Sequence, residues 1–336
     1  MSYVSVGDMA QSFSFRRQSF QLKTNINRLG NELASGRVDD LSKRVSGDFT
    51  VISGIETSLK TLDAYRMAQK EAGQFADAMQ ISLGVVQEQS AKATSTLLLS
   101  ANAASQTQVQ NIAADVRQQF DAVVSALNTQ SAGRSVFAGT ATDKPAIASA
   151  SSILADLQVA IAGQTTAGGV ASVVDDWFNL AGGGFEISGY QGSTTALAAF
   201  DIGAGQQADM SITAADPTFR ETLKNLALAA LVSEGALDGD LPGQAELLER
   251  AGDGLLSIAD AQTSMRANLG SVQAQIELVS VQTTSEISAL EITRTGLLSV
   301  DPYTAASELE QAQTQLETLY ALTSRMSRMN LVDFLR

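Results

Sequence analysis

Apolar residues recur every three or four positions along most of this chain, a pattern that predicts long amphipathic helices. The last stretch is the clearest case, because Asp301 is a favourable N-cap, Pro302 suits the first helical turn, and neither glycine nor proline follows. An isolated helix of this kind is marginal in water and needs a partner. Its apolar seam consists of Leu309, Ala312, Leu316, Leu319, Leu322, Met326 and Met329, and the apolar residues Leu331, Phe334 and Leu335 follow.

The N-terminal stretch carries a similar seam and is the predicted partner, with Gly36 placed where its helix should end. Residues 1–37 hold five basic and two acidic residues, whereas residues 301–336 hold five acidic and three basic residues. Opposite charge favours pairing, although solvent-exposed ion pairs contribute little. The alternative is that both helices pack on an ordinary core. Their position at the two ends of the chain favours a terminal coiled coil.

We therefore predict that the two terminal seams form an assembly interface. We expect the seam of the C-terminal helix to be buried only when copies of the chain assemble. The predicted interface residues are Phe15, Leu22, Ile26, Leu29, Leu33, Leu309, Leu316, Leu319, Met326, Leu331, Phe334 and Leu335.

Between the terminal helices, the same periodicity predicts further helices and one region of different character. In that region, residues 146–215, glycines separate short apolar runs. Helices are predicted at about 49–104, 109–127, 153–161, 170–180, 217–232 and 244–298, and strands at Phe185–Tyr190, Ala196–Ile202 and Ala208–Thr213.

This order of elements predicts a mainly α fold, in which helices near the two termini pair in nested fashion. The expected architecture is a hairpin rod of long helices with a small glycine-rich α+β insert at its tip. The predicted domains are a terminal coiled-coil domain (1–47 and 299–336), a helical core domain (48–145 and 216–298) and the insert, or outer, domain (146–215).

Composition narrows the function classes. The 336-residue chain has neither cysteine nor histidine, which excludes disulfides, thiolate metal sites and the commonest general base. Its net charge of −14 argues against nucleic acid as a partner. No apolar run is long enough to span a membrane, and the first residues lack the pattern of a cleaved secretory signal.

The few arrangements that could carry chemistry are weak. Gly203-x-Gly205 lacks the third glycine of a nucleotide-binding loop. Asp175 and Asp176 beside Trp177 could form a carboxylate pair in a pocket, but a solvated helix face is the better interpretation. We expect no catalytic residue, no cofactor and no metal site, and hence no enzyme.

Four segments of the chain have distinctive sequences. They are Leu29–Arg37 (LGNELASGR), Gly133–Pro145 (GRSVFAGTATDKP), Arg266–Glu277 (RANLGSVQAQIE) and Asp301–Tyr320 (DPYTAASELEQAQTQLETLY). These segments resemble the flagellin-like family of the bacterial flagellum, and within it the hook-associated proteins of the hook–filament junction. The resemblance covers residues 1–147 and 216–336, whereas the insert has no counterpart. Asp39–Phe49 also departs from the family, since it lacks the proline of a "PSDDP"-type segment.

The resemblance implies a secreted structural protein with a flagellin-like coiled-coil core. Such proteins leave the cell through the flagellar type III export channel and fold at the growing tip, where their terminal helices form the inner tube. The implied partners are further copies in a ring or tube, a neighbouring hook-associated protein, flagellin and an export chaperone, with no nucleic acid and no membrane insertion.

Three functions are compatible with the sequence. The leading hypothesis is a subunit at the hook–filament junction, favoured by Gly133–Pro145 and Asp301–Tyr320. Flagellin, the filament subunit, is the rival within the family. A soluble signalling coiled coil is a more distant alternative, and it gives no reason for the glycine-rich insert.

Overall fold

The computed structural model describes residues 6–100 and 105–328, and the prediction of a mainly helical fold is confirmed. Two short antiparallel hairpins and one π-helical turn, Phe185–Gly189, accompany the helices. The helices are α1 (Val6–Ser35), α2 (Leu41–Arg44), α3 (Thr50–Ser100), α4 (Gln106–Leu127), α5 (Ala150–Ala160), α6 (Ala167–Asn179), α7 (Pro217–Ser233), α8 (Leu241–Leu298) and α9 (Pro302–Arg328), and the strands are β1 (Gln130–Ser131), β2 (Arg134–Ser135), β3 (Phe200–Gly203) and β4 (Gln206–Ala208).

Local capping interactions account for the positions at which several helices begin and end. Gly36 takes a φ of +68°, a left-handed conformation that glycine adopts at low cost, and it ends α1. The Asp216 carboxylate accepts a hydrogen bond from the Thr218 N–H at 2.8 Å and caps α7, which begins with Pro217. The Ser105 hydroxyl accepts from the Gln108 N–H at 3.3 Å and caps α4, which begins close to the helix start predicted at about 109.

The chain forms two compact units, one made of Met1–Thr61 with Ser285–Arg336 and the other of Leu62–Thr284. Residues 146–215 lie inside the second unit, together with α4 and α7. The three-domain division and the hairpin rod remain predictions.

Helix α7 is the centre of the second unit. Eleven of its residues are buried, because α4, α5 and α6 all pack against it. Its Leu226–Val232 segment is apolar on every side, and such a segment is stable only when neighbours cover every side. Phe219 of α7 meets Phe137 edge to face at 5.6 Å between ring centroids. The helices of the insert therefore share one core with the long helices.

The strand predicted at Phe185–Tyr190 is wrong, since Phe185–Gly189 forms a π-helical turn. Its backbone packs under Trp177, and the Phe185 ring is buried against the rings of Trp177 and Phe178. An extended strand would carry Phe185 away from this aromatic cluster. The strand predicted at Ala196–Ile202 shortens to Phe200–Gly203. The strand predicted at Ala208–Thr213 is wrong, because β4 ends at Ala208.

A buried glutamine joins this hairpin to the long helices. Gln69 of α3 donates hydrogen bonds to the backbone carbonyl of Ile202 at 2.6 Å and to the Thr283 hydroxyl of α8 at 2.8 Å. Phe75 and Phe200 pack beside it, with ring centroids 5.8 Å apart. The hairpin is thus fixed on α3 and α8.

A buried carboxylate organises the end of α1 in the first unit. Glu32 is only 3% exposed; both of its oxygens accept from the Arg28 guanidinium at 2.8 Å, and one also accepts from the Asp39 N–H at 3.1 Å. The turn held in this way runs beside the junction of α8 and α9. There the Val38 N–H donates to the Leu298 carbonyl at 2.9 Å, and the Val300 N–H donates to the Gly36 carbonyl at 3.1 Å. We call these two backbone hydrogen bonds the junction clip.

We expect Gly184→Ala to lower the free energy of unfolding by about 1–3 kcal/mol, because a Cβ at this position would overlap the Trp177 ring. Urea unfolding followed by the fluorescence of Trp177, the one tryptophan of the chain, measures this change. Gly168→Ala is the matched control, since nothing lies within 4 Å of its Cβ, and it should stay within about 0.5 kcal/mol of wild type. Equal stability of the two variants would contradict the packing described for Gly184.

We expect Glu32→Ala to weaken the junction clip by about 2 kcal/mol, the typical value of hydrogen bonds to a charged group. Hydrogen exchange at the Val38 and Val300 amides should then be about 30-fold faster. Asn31→Ala, at the exposed neighbouring position, is the control and should leave both amides protected. Unchanged protection in Glu32→Ala would mean that the carboxylate does not hold this turn.

Candidate assembly surface

The terminal helices α1 and α9 pack against each other within one chain and run antiparallel. The Gln11 amide donates to the Met326 sulfur at 3.7 Å near one end of the pair, and the junction clip joins the other end. Residues that recur at seven-residue spacing on α9, namely Ala305, Ala312 and Leu319, are buried along the contact. This is the spacing at which a helix presents one seam to a single partner.

The twelve predicted interface residues fall into four groups. Leu29 and Leu319 are buried, whereas Leu33 is exposed. The expectation that the C-terminal seam is buried only on assembly is wrong for Leu319, which lies against α1 of the same chain. Six of the twelve are half-buried, namely Phe15, Leu22, Ile26, Leu309, Leu316 and Met326. The remaining three, Leu331, Phe334 and Leu335, lie outside the described residues.

An open groove of about 720 Å³ lies between the N-terminal half of α1 and the C-terminal half of α9. Aromatic and apolar side chains form its floor, and Arg16 and Lys23 stand among them. The Lys23 ammonium lies 5.7 Å from the centroid of the Tyr320 ring, and hydrogen bonds from Lys23 and Ser19 lower the pKa of Tyr320. The apolar lining residues are Phe15, Phe20, Leu319, Tyr320 and Met326.

Large apolar side chains also remain exposed outside the α1–α9 contact. On α1, Met9 is 58%, Phe13 69% and Phe20 73% exposed, and Tyr303 of α9 is 85% exposed. Exposed large apolar side chains on a terminal helix are typical of protein interaction sites. Periodicity predicted the buried seam but overlooked the exposed apolar residues of α1, which are four and seven positions apart.

The opposite charges of the two helices are not paired within the chain. Within residues 6–100 and 105–328, no ion pair joins α1 to α9. The exposed charges of α1 are the cations Arg16, Arg17 and Lys23, and those of the first two-thirds of α9 include Glu308, Glu310 and Glu317. Ion pairs therefore do not contribute to this contact among the described residues, and Lys23 meets α9 through the Tyr320 ring instead.

The residues that the sequence analysis considered for a chemical site, Asp175, Gly203 and Gly205, have structural roles. The Asp175 carboxylate lies 2.7 Å from the Lys224 ammonium and accepts from Asn179, and the hydrogen bond with Lys224 lowers the pKa of Asp175. This ion pair joins α6 to α7. Gly203 and Gly205 belong to the β3–β4 hairpin. The described residues contain no group of three or more acidic side chains that could hold a metal ion.

Across the described parts of the chain, no helix is both long and apolar enough to cross a membrane.

A family model, the C-terminal helical region of bacterial flagellin, matches residues 257–335. No curated protein sequence matches the chain. Two solved structures are similar to it. A flagellar hook-associated protein from Vibrio parahaemolyticus has 14% sequence identity and a TM-score of 0.51, over 74% of this chain and 98% of its own. FlgL of Bacillus cereus has 16% identity and a TM-score of 0.48, over 71% of this chain and 100% of its own.

The family match covers the later part of α8 and all of α9, so it includes one half of the α1–α9 pair. The likeness to the Vibrio protein extends over most of the chain and concerns the fold. The C-terminal part of the chain thus matches the model of the helical region of bacterial flagellin, and the chain shares its fold with a solved flagellar hook-associated protein.

Proposed function

We propose that this protein joins the hook to the filament of the bacterial flagellum, as a subunit similar to hook-associated protein 3. It is secreted through the flagellar type III system and assembles outside the cell through α1 and α9. The observation that carries this proposal is the α1–α9 pair, which buries one seam internally while leaving an apolar groove and the rings of Phe13 and Phe20 exposed. Such a surface is suited to permanent contact with neighbouring subunits.

Two further observations support a position at the junction. Gly133–Pro145 and Asp301–Tyr320 resemble the corresponding segments of hook–filament junction proteins. The similarity in fold to a hook-associated protein covers 98% of that protein. The proposed partners are further copies in a ring or tube, a neighbouring hook-associated protein, flagellin, and an export chaperone that shields the terminal helices before secretion.

Flagellin itself is the second candidate, and the C-terminal family match favours it as much as it favours a junction protein. The number of copies distinguishes the two, because a filament needs thousands of subunits and a junction needs about one ring. A signalling coiled coil is the least supported candidate, since it does not account for the flagellin-like C-terminal helices.

Deleting the gene in the native bacterium tests the proposal directly. We expect hooks to form without filaments, and flagellin to appear in the culture medium. Electron microscopy and analysis of the medium distinguish the outcomes. Normal swimming would overturn the proposal, and loss of a filament composed of this protein would establish flagellin instead.

We expect Phe13→Asp to abolish filament formation in the complemented deletion strain, because it would place an unpaired carboxylate in an apolar contact between subunits. Phe13 is 69% exposed in one chain, so the free energy of unfolding of the purified protein should change by less than about 0.5 kcal/mol. Ser14→Asp is the control; it adds the same charge at an exposed position outside the groove lining and should retain filaments.

Leu319→Asp provides the contrasting case. Leu319 is buried against α1, so this variant should destabilise the α1–α9 pair in the isolated protein as well as prevent assembly. Filaments in the Phe13→Asp strain, or a stability loss as large as that of Leu319→Asp, would show that Phe13 does not belong to a surface between subunits.

A further inference from the structure

Helix α1 carries a second heptad face in addition to the seam that contacts α9. Met9, Phe13, Arg16, Phe20 and Lys23 are separated by alternating steps of four and three residues, so they share one side of the helix. The three apolar members are more than half exposed, and Arg16, Phe20 and Lys23 line the open groove. We call this side the outer face of α1. It has the pattern of a helix that packs against two partners, of which the chain supplies one.

Helix α9 has a complementary outer face. Tyr303, Glu310 and Glu317 recur every seven residues, and each stands two positions before one of the buried seam residues. Two positions correspond to about 200° around a helix, so these three side chains are turned away from α1 of the same chain. All three are exposed.

The two outer faces match in spacing and in charge. Arg16 and Lys23 are seven residues apart on α1, and Glu310 and Glu317 are seven residues apart on α9, which is about 10.5 Å along either helix. Among the described residues, none of these four side chains has an ion-pair partner, although Lys23 lies over the Tyr320 ring. Two cations and two carboxylates with equal spacing can form two ion pairs at once.

We propose that the outer face of α1 binds the outer face of α9 of a second copy, with Arg16 paired to Glu317 and Lys23 paired to Glu310. This inference rests on the proposed function, in which copies associate through their terminal helices. Copies arranged around a common axis point in the same direction, so α1 of one copy meets α9 of the next in antiparallel orientation. In this register Phe20 lies opposite Gln313, and the second copy closes the groove.

Charge excludes the symmetric alternatives. Pairing α1 with α1 would bring Arg16 and Lys23 of both copies together, and pairing α9 with α9 would bring the glutamates together; both arrangements repel. The α1–α9 contact is heterologous, because each copy uses a different surface toward each neighbour. Repetition of such a contact produces a ring or a helical tube rather than a dimer. Apolar burial by Phe13 and Phe20 supplies affinity, and the ion pairs set the register.

A cysteine cross-link tests the register, since the chain has no native cysteine. Phe20→Cys and Gln313→Cys are introduced into separate, differently tagged copies that are expressed together in the deletion strain. Isolated flagella are then oxidised and analysed for dimers carrying both tags. Because each copy has one cysteine, every disulfide joins two copies. We expect the dimer with both tags at least tenfold more abundant than with Gln311→Cys, an exposed control about 160° from Gln313 around α9. Equal or absent cross-linking would overturn the proposed register.

Charge reversal tests the partner. Two double variants are made. One carries Arg16→Glu with Lys23→Glu, and the other carries Glu310→Lys with Glu317→Lys. Each should reduce filament number at least tenfold when it is expressed alone. Expressed together, the two proteins should restore filaments, because reversed α1 of one then meets reversed α9 of the other. All four changes in one chain should also restore them. Arg17→Glu, outside the outer face, is the control and should retain filaments.

The possible results separate this inference from the proposed function. Normal filaments in both reversed variants would overturn the ion pairing while leaving a junction role intact. Loss without rescue would mean that these charges contact a different protein, and would also overturn the inference. Absence of the wild-type protein from isolated flagella would instead overturn the proposed function itself.

Discussion

A helix with one apolar face is stable in water only when something covers that face, and this requirement governs the architecture of the protein. In the first unit, α1 and α9 cover each other through Leu29, Ala305, Ala312 and Leu319. In the second unit, the Leu226–Val232 part of α7 is apolar on all sides and is buried accordingly. The length of the helices makes the requirement strict, because an uncovered seam on a helix of this length would expose apolar side chains over many turns.

Buried polar side chains give these helix contacts a defined register. Gln69 joins α3, the β3–β4 hairpin and α8, while Gln262 of α8 donates to the hydroxyls of Ser90 and Thr222 at 3.1 and 2.9 Å. A shift of one helix by a turn would leave these amides buried without partners, which is costly. Apolar seams made largely of alanine and leucine tolerate sliding, so the glutamines supply the specificity that such seams lack.

The terminal helices combine two kinds of contact that differ in purpose. The inner seam of α1 is covered within the chain and is closed at one end by Glu32 and the junction clip. Its outer face keeps Phe13 and Phe20 exposed beside Arg16 and Lys23. A single chain thus covers one face of each terminal helix and leaves the other face exposed to solvent.

Periodicity and capping chemistry were sufficient to predict most of the helices, because these signals are local: Gly36, Ser105 and Asp216 mark helix ends wherever the chain goes. Tertiary contacts decided what local signals do not encode. The Phe185 run became a π-helical turn because Trp177 lies over its backbone, and Leu319 was buried by α1 of its own chain rather than by a neighbour. The burial of Glu32 also depends on tertiary structure, because the Asp39 N–H that binds its carboxylate comes from the turn after α1. Likewise, both heptad faces of α1 are visible in the sequence, but only the packing of α9 determined which of them stayed exposed.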